Sequence, residues 1–392
     1  MKFLLFLINP FLSVINSLVN IKEKHALTFL YLWFLIFGIG FVSNNEAYDS
    51  YRNVERFKEE VLNWQQYKFE LEDFFSFDSD IKDIYVLTAN FIIRQFSDNY
   101  HWEYLLFAII FGYFYVRSLK YLTPYLSKSA ISYVLLFLFC FSNPIFNING
   151  VRFWTAAWVG VYALFRIIID KKYIYYLLLA ITPLIHGSFY LWIMMVIIAH
   201  FVPKTRKVWL VLFLLSMFVS MSTQISQIAT NSSILPPFIE NYIRLYVDNE
   251  ELMAHYEMLN LPLYARILNT LPSVILTILT ILLLTDKNIE NEKKDEYYSL
   301  MEKYLVIVTM INFASAIPTV GVRYIKMTMP ILALLWAKYS FKLKKYDWAI
   351  YCVPIAFSYS VFYWLRHMVS VTELELYLYP APFTIIKYLF LS

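Results

Sequence analysis

The sequence predicts an all-α protein, a polytopic bundle of about twelve membrane-crossing helices, and three observations carry that prediction. Hydrophobic residues make up 60% of the 392 residues and mean hydropathy is +0.54, more apolar surface than one water-soluble core hides. Apolar runs approaching the ~20 residues that a membrane-spanning helix needs recur along the chain, divided by short polar turns. Lysine and arginine gather in alternate turns, as positive-inside topology requires.

The runs fall roughly at Phe3 to Val19, Ala26 to Val42, Trp102 to Leu119, Ala130 to Phe141, Val151 to Ile169, Tyr173 to Leu184, Ser188 to Phe201, Val208 to Ile225, Leu263 to Leu284, Tyr304 to Thr319, Tyr324 to Ala337 and Trp348 to Trp364. The opening run has no Ala-x-Ala cleavage signature and is expected to stay as a first helix. The turns "IKEKH", "KYLTPYLSK", "DKK", "PKTRK", "DKNIENEKK" and "KYSFKLKK" are assigned to the cytoplasm. An even number of crossings must separate "DKK" from "PKTRK", so the stretch between them splits around "TPLIHGS", where Pro183 and Gly187 loosen the backbone. His186 then lies near the outer face.

On this reading residues 1–392 form one transmembrane domain, with both termini and two long loops, about 43–100 and 226–262, on the extracytoplasmic side. The first loop contains "SDIKDIYVLTANFIIRQFS", whose apolar spacing predicts an amphipathic or re-entrant helix at the membrane surface.

Much chemistry is unsupported. Cys140 and Cys352 sit in apolar runs and read as small core residues. There is no P-loop, dinucleotide fingerprint or HExxH, so ATP hydrolysis, hydride transfer and zinc proteolysis have no support, and no cofactor is expected. The net charge of +4 is small and no nucleic-acid partner is expected. An ion-coupled transporter would tend to bury several acids mid-span, whereas here polar residues gather at one face.

The basic residues also sort by type. On the assigned topology Lys outnumbers Arg 16 to 3 inside, while Arg outnumbers Lys 8 to 6 outside. An ammonium suffices to anchor a turn, whereas a guanidinium fork suits bidentate capture of phosphate or carboxylate. Arg152, Arg244, Arg266 and Arg323 stand at or beside the outer ends of predicted helices, where a cluster of cations suits an anionic lipid headgroup. Snorkelling to the interface explains any one of them equally well, but all four together less easily. Arg152 and Arg323 lead, each opening a span beside a glycine, in "NGVRFW" and "VGVRYI"; Arg94 and Arg366 are weaker.

His186, in "LIHGSFY" with Ser188 two residues on, can take a proton from an incoming hydroxyl, although a lone histidine in such a turn is more often structural. Asp49, in "AYDSYRNVERF", follows the second span and can orient His186 or bind a sugar hydroxyl. An ordinary solvated carboxylate is the commoner outcome in a loop with eleven acidic residues between Asn44 and Asp83. The same acidity devalues "DSD" at Asp78 to Asp80 as a metal-holding pattern.

Taken in order, these motifs make the chain resemble the EpsG and Wzy-type polysaccharide polymerases of bacterial envelopes, over nearly its whole length. The basic turn "IKEKH", the segment "AYDSYRNVERF", the span opening "NINGVRFWTA", the element "IHGSFY", the late "VGVRYIKM" and the aromatic tail "LYLYPAPF" are similar to the family's sequence of features. This chain has "FVSNNEAYD" where relatives often carry Arg and Gly before the Asp, which leaves the role of Asp49 open.

The resemblance implies a GT-C-like glycosyltransferase in the bacterial cytoplasmic (inner) membrane. It would join oligosaccharide repeat units carried on undecaprenyl diphosphate, at the periplasmic or exterior face. Arg152 and Arg323, with Arg244 and Arg266, would bind the diphosphate without a metal. His186 would act as base, with Asp49 as alternative or helper, and Tyr242 and Ser188 would contact sugar. Membrane lipid, a chain-length regulator and a flippase are the implied partners. The rivals are a membrane acyltransferase modifying an envelope polysaccharide and a flippase for the same lipid-linked glycan.

Overall fold

A computed structural model of the chain describes residues 2–42, 46, 48–59, 63–75, 83–202, 206–220, 262–315 and 318–391. Among the described residues the regular structure is helical, apart from one isolated bridge between Phe41 and Thr372. The opening run differs from expectation. Pro10 lacks an N–H and breaks it into α1 (Lys2–Ile8) and α2 (Pro10–Val19), with the Asn9 side chain accepting from the Leu12 amide at 2.8 Å. Lys2 pairs with Glu23, so the two short helices fold back on each other instead of forming one straight helix.

α3 (Ala26–Ile39) stops at Gly40, and the first long connection then holds three helices, α4 (Asp49–Glu59), α5 (Trp64–Phe74) and α6 (Tyr85–Arg94). α6 is the helix that the amphipathic spacing predicts, burying Val86, Leu87, Ala89 and Ile93. α7 (His101–Leu122), α8 (Ala130–Ser142), α9 (Val151–Ile168), α10 (Tyr175–Ile185), α11 (Phe189–Phe201) and α12 (Arg206–Ser220) follow, with α10 and α11 dividing around His186 as expected. Beyond the second long loop come α13 (Leu263–Thr285), α14 (Glu296–Ala314), α15 (Pro318–Lys338), α16 (Asp347–Ser370) and α17 (Ala381–Phe390).

Among the described residues four stretches are long and apolar enough to cross a membrane: His101–Tyr125, Ala130–Ile168, Leu263–Thr285 and Lys344–Ser370. Five more apolar helices are shorter, among them α3, α10 and α11. At 1.5 Å per residue an 11- to 14-residue helix rises only about 16–21 Å against a ~30 Å hydrocarbon layer.

The chain divides into two compact units. The first, residues 1–129, 143–193 and 361–392, is built around α9, which buries 15 of its 18 residues, the mark of a central helix. α7 packs on it through Tyr115 against Trp158, ring centres 4.6 Å apart, and Phe34 of α3 meets Tyr115 at 4.7 Å. In lipid, helix association rests on close packing more than on the hydrophobic effect. Gly38 shows how close: a Cβ there would lie 2.6 Å from the Tyr104 carbonyl oxygen on α7.

The second unit, residues 130–142 and 194–360, packs α14 on α12 and α15, with α8 and α13 also against α15. Buried polar groups are paired across it: the Tyr304 hydroxyl and Thr280 Oγ1 are 2.7 Å apart, and Trp336 Nε1 donates to the Leu279 carbonyl at 3.2 Å. Two of its basic turns, at 286–295 and 338–345, are joined among the described residues by ion pairs of Asp286 with Lys345 (2.8 Å), Asp295 with Lys338 (3.0 Å) and Glu292 with Lys342. Those turns, each assigned above to the same side, are neighbours in space.

Candidate active site at the start of the central helix

In the first unit the segment "NPIFNINGVRFW" turns tightly before α9 begins, and the helix itself braces it. The Asn143 carbonyl accepts from Trp158 Nε1 at 3.0 Å, and its side-chain amide donates to the Trp154 carbonyl at 2.8 Å. Asn147 donates to the Asn143 side chain at 3.0 Å. Gly150 caps the helix, and a Cβ there would meet the Trp154 indole at 3.2 Å and stand 4.0 Å from Asp49 Oδ2. A bare backbone thus lets the indole and the carboxylate close on the helix start.

Two residues on, Arg152 donates to Asp83 Oδ2 at 3.2 Å, across 69 positions of sequence. The partners are unlike in exposure: the Asp83 side chain is 5% exposed and that of Arg152 is 43% exposed. A buried carboxylate needs a cation or donors to offset its lost hydration, and the guanidinium supplies both while keeping a face towards solvent.

Asp83 opens a short strap over three helices. The next residue, Ile84, donates its amide to the Leu184 carbonyl at 3.0 Å, tying the strap to the end of α10, two positions before His186. Tyr85 buries its hydroxyl near Thr155 on α9 and Glu103 on α7, where among the described residues it makes no hydrogen bond, and its ring stands 5.3 Å from that of Phe107. Burial pushes the Tyr85 phenol above its usual range; the Thr155 contact lowers it and the Glu103 charge raises it further.

His186 adopts extended backbone at the end of α10, and its ring meets Phe153 of α9 edge-on, with centroids 5.4 Å apart. Ser188 addresses its Nδ1 twice, through the hydroxyl at 2.8 Å and the backbone N–H at 3.3 Å. A backbone N–H can only donate, so Nδ1 is the acceptor and a neutral ring carries its proton on Nε2. Any proton taken up at Nδ1 therefore arrives by way of Ser188.

Asp49 is the first residue of α4, pairs with Arg52 and lies beside Gly150. The adjoining Ser50 amide donates to Asn149 Oδ1 at 3.4 Å, which docks α4 on the turn. Asp49, Arg152, His186 and Ser188 thus belong to one unit and border the α9 start, directly or through the 83–85 strap. Arg266 and Arg323 belong to the second unit, half-buried on α13 and α15, with Lys326 in electrostatic reach of Arg323. Tyr242, Arg244 and Asp78 to Asp80 lie outside the described residues. Arg94 serves packing, bonded to Asp98 at 2.7 Å and lying over the Phe57 ring.

Sequence reasoning missed Asp83, Tyr85 and Glu103. Glu103 is fully buried in the first turn of α7, and among the described residues neither of its carboxyl oxygens has a hydrogen-bond partner. A single acid at the mouth of a long apolar run was the signal for Glu103; Asp83 had none, being one of eleven acids between Asn44 and Asp83.

No curated relative and no solved structure matches the chain. The model of the EpsG family matches residues 25–381, a range that includes the first-unit site from Asp49 to Ser188 and the Arg323 region. By that match the chain belongs to the EpsG family.

Proposed function

We propose that this protein is a membrane polysaccharide polymerase, a glycosyltransferase that joins oligosaccharide repeat units carried on undecaprenyl diphosphate at the outer face of the cytoplasmic membrane. EpsG membership suggests the polymerase type of function, and the long apolar helices suggest the membrane. The carrying observation is the half-exposed Arg152 paired with Asp83 at the start of α9, next in sequence to Phe153, whose ring meets His186 of the His186–Ser188 pair. A GT-C-like bundle of about twelve crossings in a single transmembrane domain is the architecture that accompanies this reading.

In this reading the lipid donor enters sideways between helices and its diphosphate is bound by Arg152; Arg323, Arg244 and Arg266 are further candidates for diphosphate binding. Negative charge grows on the diphosphate as the glycosidic bond breaks, so guanidiniums aimed there favour the transition state over the ground state. They supply the positive charge that a divalent ion supplies in other transferases. The acceptor hydroxyl gives its proton to Ser188 Oγ as Ser188 passes its own to His186 Nδ1, leaving an imidazolium. Asp49 and Tyr242 bind sugar hydroxyls at the rim. A flippase and a chain-length regulator are its partners in this scheme.

A serine hydroxyl held on an imidazole is also the arrangement of acyl transfer, which makes the membrane acyltransferase the second reading. Deleting the protein separates them. Single lipid-linked units accumulating at the outer face support the polymerase; glycan of unchanged length that has lost acyl groups supports the acyltransferase; units trapped inside indicate a flippase.

A further inference from the structure

We propose that Asp83 is a built-in counter-ion of the diphosphate site, a positioning residue that acts through Arg152 and weakens ground-state binding of the lipid diphosphate so that the product leaves. The inference rests on the polymerase reading for the identity of the anion.

Three observations carry it. Asp83 Oδ2 lies 3.2 Å from Arg152 Nη1, and the carboxylate is almost wholly buried while the guanidinium keeps an exposed face. An anion can therefore reach Arg152 only from the side away from Asp83. The backbone that carries the carboxylate is also held, because the amide of the next residue bonds to the Leu184 carbonyl. That tether keeps Asp83 near Arg152 when an anion arrives. Its charge stays within a few ångströms of the bound phosphate, repelling it with Arg152 in between.

A fixed negative charge a few ångströms behind the guanidinium repels a bound phosphate strongly enough, after screening and relaxation, to be worth about tenfold in affinity. Such repulsion is useful when substrate and product share the diphosphate. The enzyme must release undecaprenyl diphosphate after each transfer, and uniform tight binding of that group would slow turnover. A fixed carboxylate lowers ground-state affinity while keeping the guanidinium aimed at the leaving group.

The test uses the full chain in nanodiscs, titrated with undecaprenyl diphosphate and, separately, with inorganic pyrophosphate. Asp83→Asn is expected to tighten undecaprenyl diphosphate binding about tenfold and to slow multiple-turnover polymerisation. The same substitution in an Arg152→Ala background is expected to change binding by less than about twofold, since the effect passes through Arg152. Asp83→Glu is expected to restore wild-type binding. A misfolded site binds more weakly, never more tightly, so general damage does not mimic this result.

Unchanged or weaker binding by Asp83→Asn, or tightening that persists without Arg152, overturns the proposal while leaving the polymerase reading intact. Wild-type protein that binds no undecaprenyl diphosphate and makes no polymer overturns both. A shift with the lipid diphosphate supports the proposal, and the pyrophosphate arm distinguishes a headgroup reader from a site for any free diphosphate.

Discussion

The two ends of α9 each carry an arginine paired with an aspartate, and they are built for different work. At the far end Arg166 reaches Asp170 one turn on, stacks 4.6 Å above the Tyr175 ring, and shares Asp170 with the Tyr121 hydroxyl at 2.6 Å. All of these partners come from two neighbouring basic turns, so the cation is closed in by its own surroundings. At the near end Arg152 is matched by a carboxylate 69 positions away and leaves 43% of its side chain exposed, and the next residue, Phe153, meets the ring of His186. Identical chemistry is an anchor where aromatic rings cover the guanidinium and a candidate anion site where they do not.

Substitutions can break that contrast or sharpen it. Arg152→Ala should cost the largest amount, about 10³-fold in polymerisation per folded molecule, because the group is needed most when charge builds on the diphosphate. His186→Ala should cost about 100-fold, and Ser188→Ala roughly tenfold since its backbone N–H still orients the ring; chain-length ladders normalised to folded protein read both. Arg166→Ala should leave the ladder intact and lower stability by only about 1 kcal/mol, the sum of a helix-spaced ion pair and a cation–π contact, seen as a shifted melting curve.

The smallest effect is expected at the C-terminal clasp, where Lys387, and next the Tyr388 hydroxyl, hold the Glu373 carboxyl below the usual carboxylate range. A depressed acid contributes its stability fully above the unfolded value near about 4.3, and loses it as pH falls through the lower folded value. Protection of residues 381–390 against hydrogen exchange should therefore fall below about pH 4, and Lys387→Met should weaken that pH dependence.

Much of this was legible in the sequence because it depends on local pattern. Apolar runs located α7, α9 and α13, the Pro183–Gly187 stretch located the α10–α11 break, and glycine beside arginine located the α9 start. The opening hairpin was legible in retrospect, since Asn9–Pro10 is a cap signal inside an apolar run. Asp83 was not, because an acid's role depends on which distant cation the fold brings to it. Nothing local separates the buried carboxylate at 83 from the exposed one at 98, whose side chain is 90% exposed although it too pairs with an arginine. Ser188's hold on Nδ1 likewise depends on the backbone angle at His186, which residue types alone do not specify.

The most direct test of the central claim is polymerisation by the purified chain in nanodiscs, supplied only with the undecaprenyl-diphosphate-linked repeat unit. Wild type and Arg166→Ala should both build a ladder and Arg152→Ala should build none, with all three equally folded. A full ladder from Arg152→Ala would contradict the account, because the anion site at the start of α9 would then not take part in the reaction.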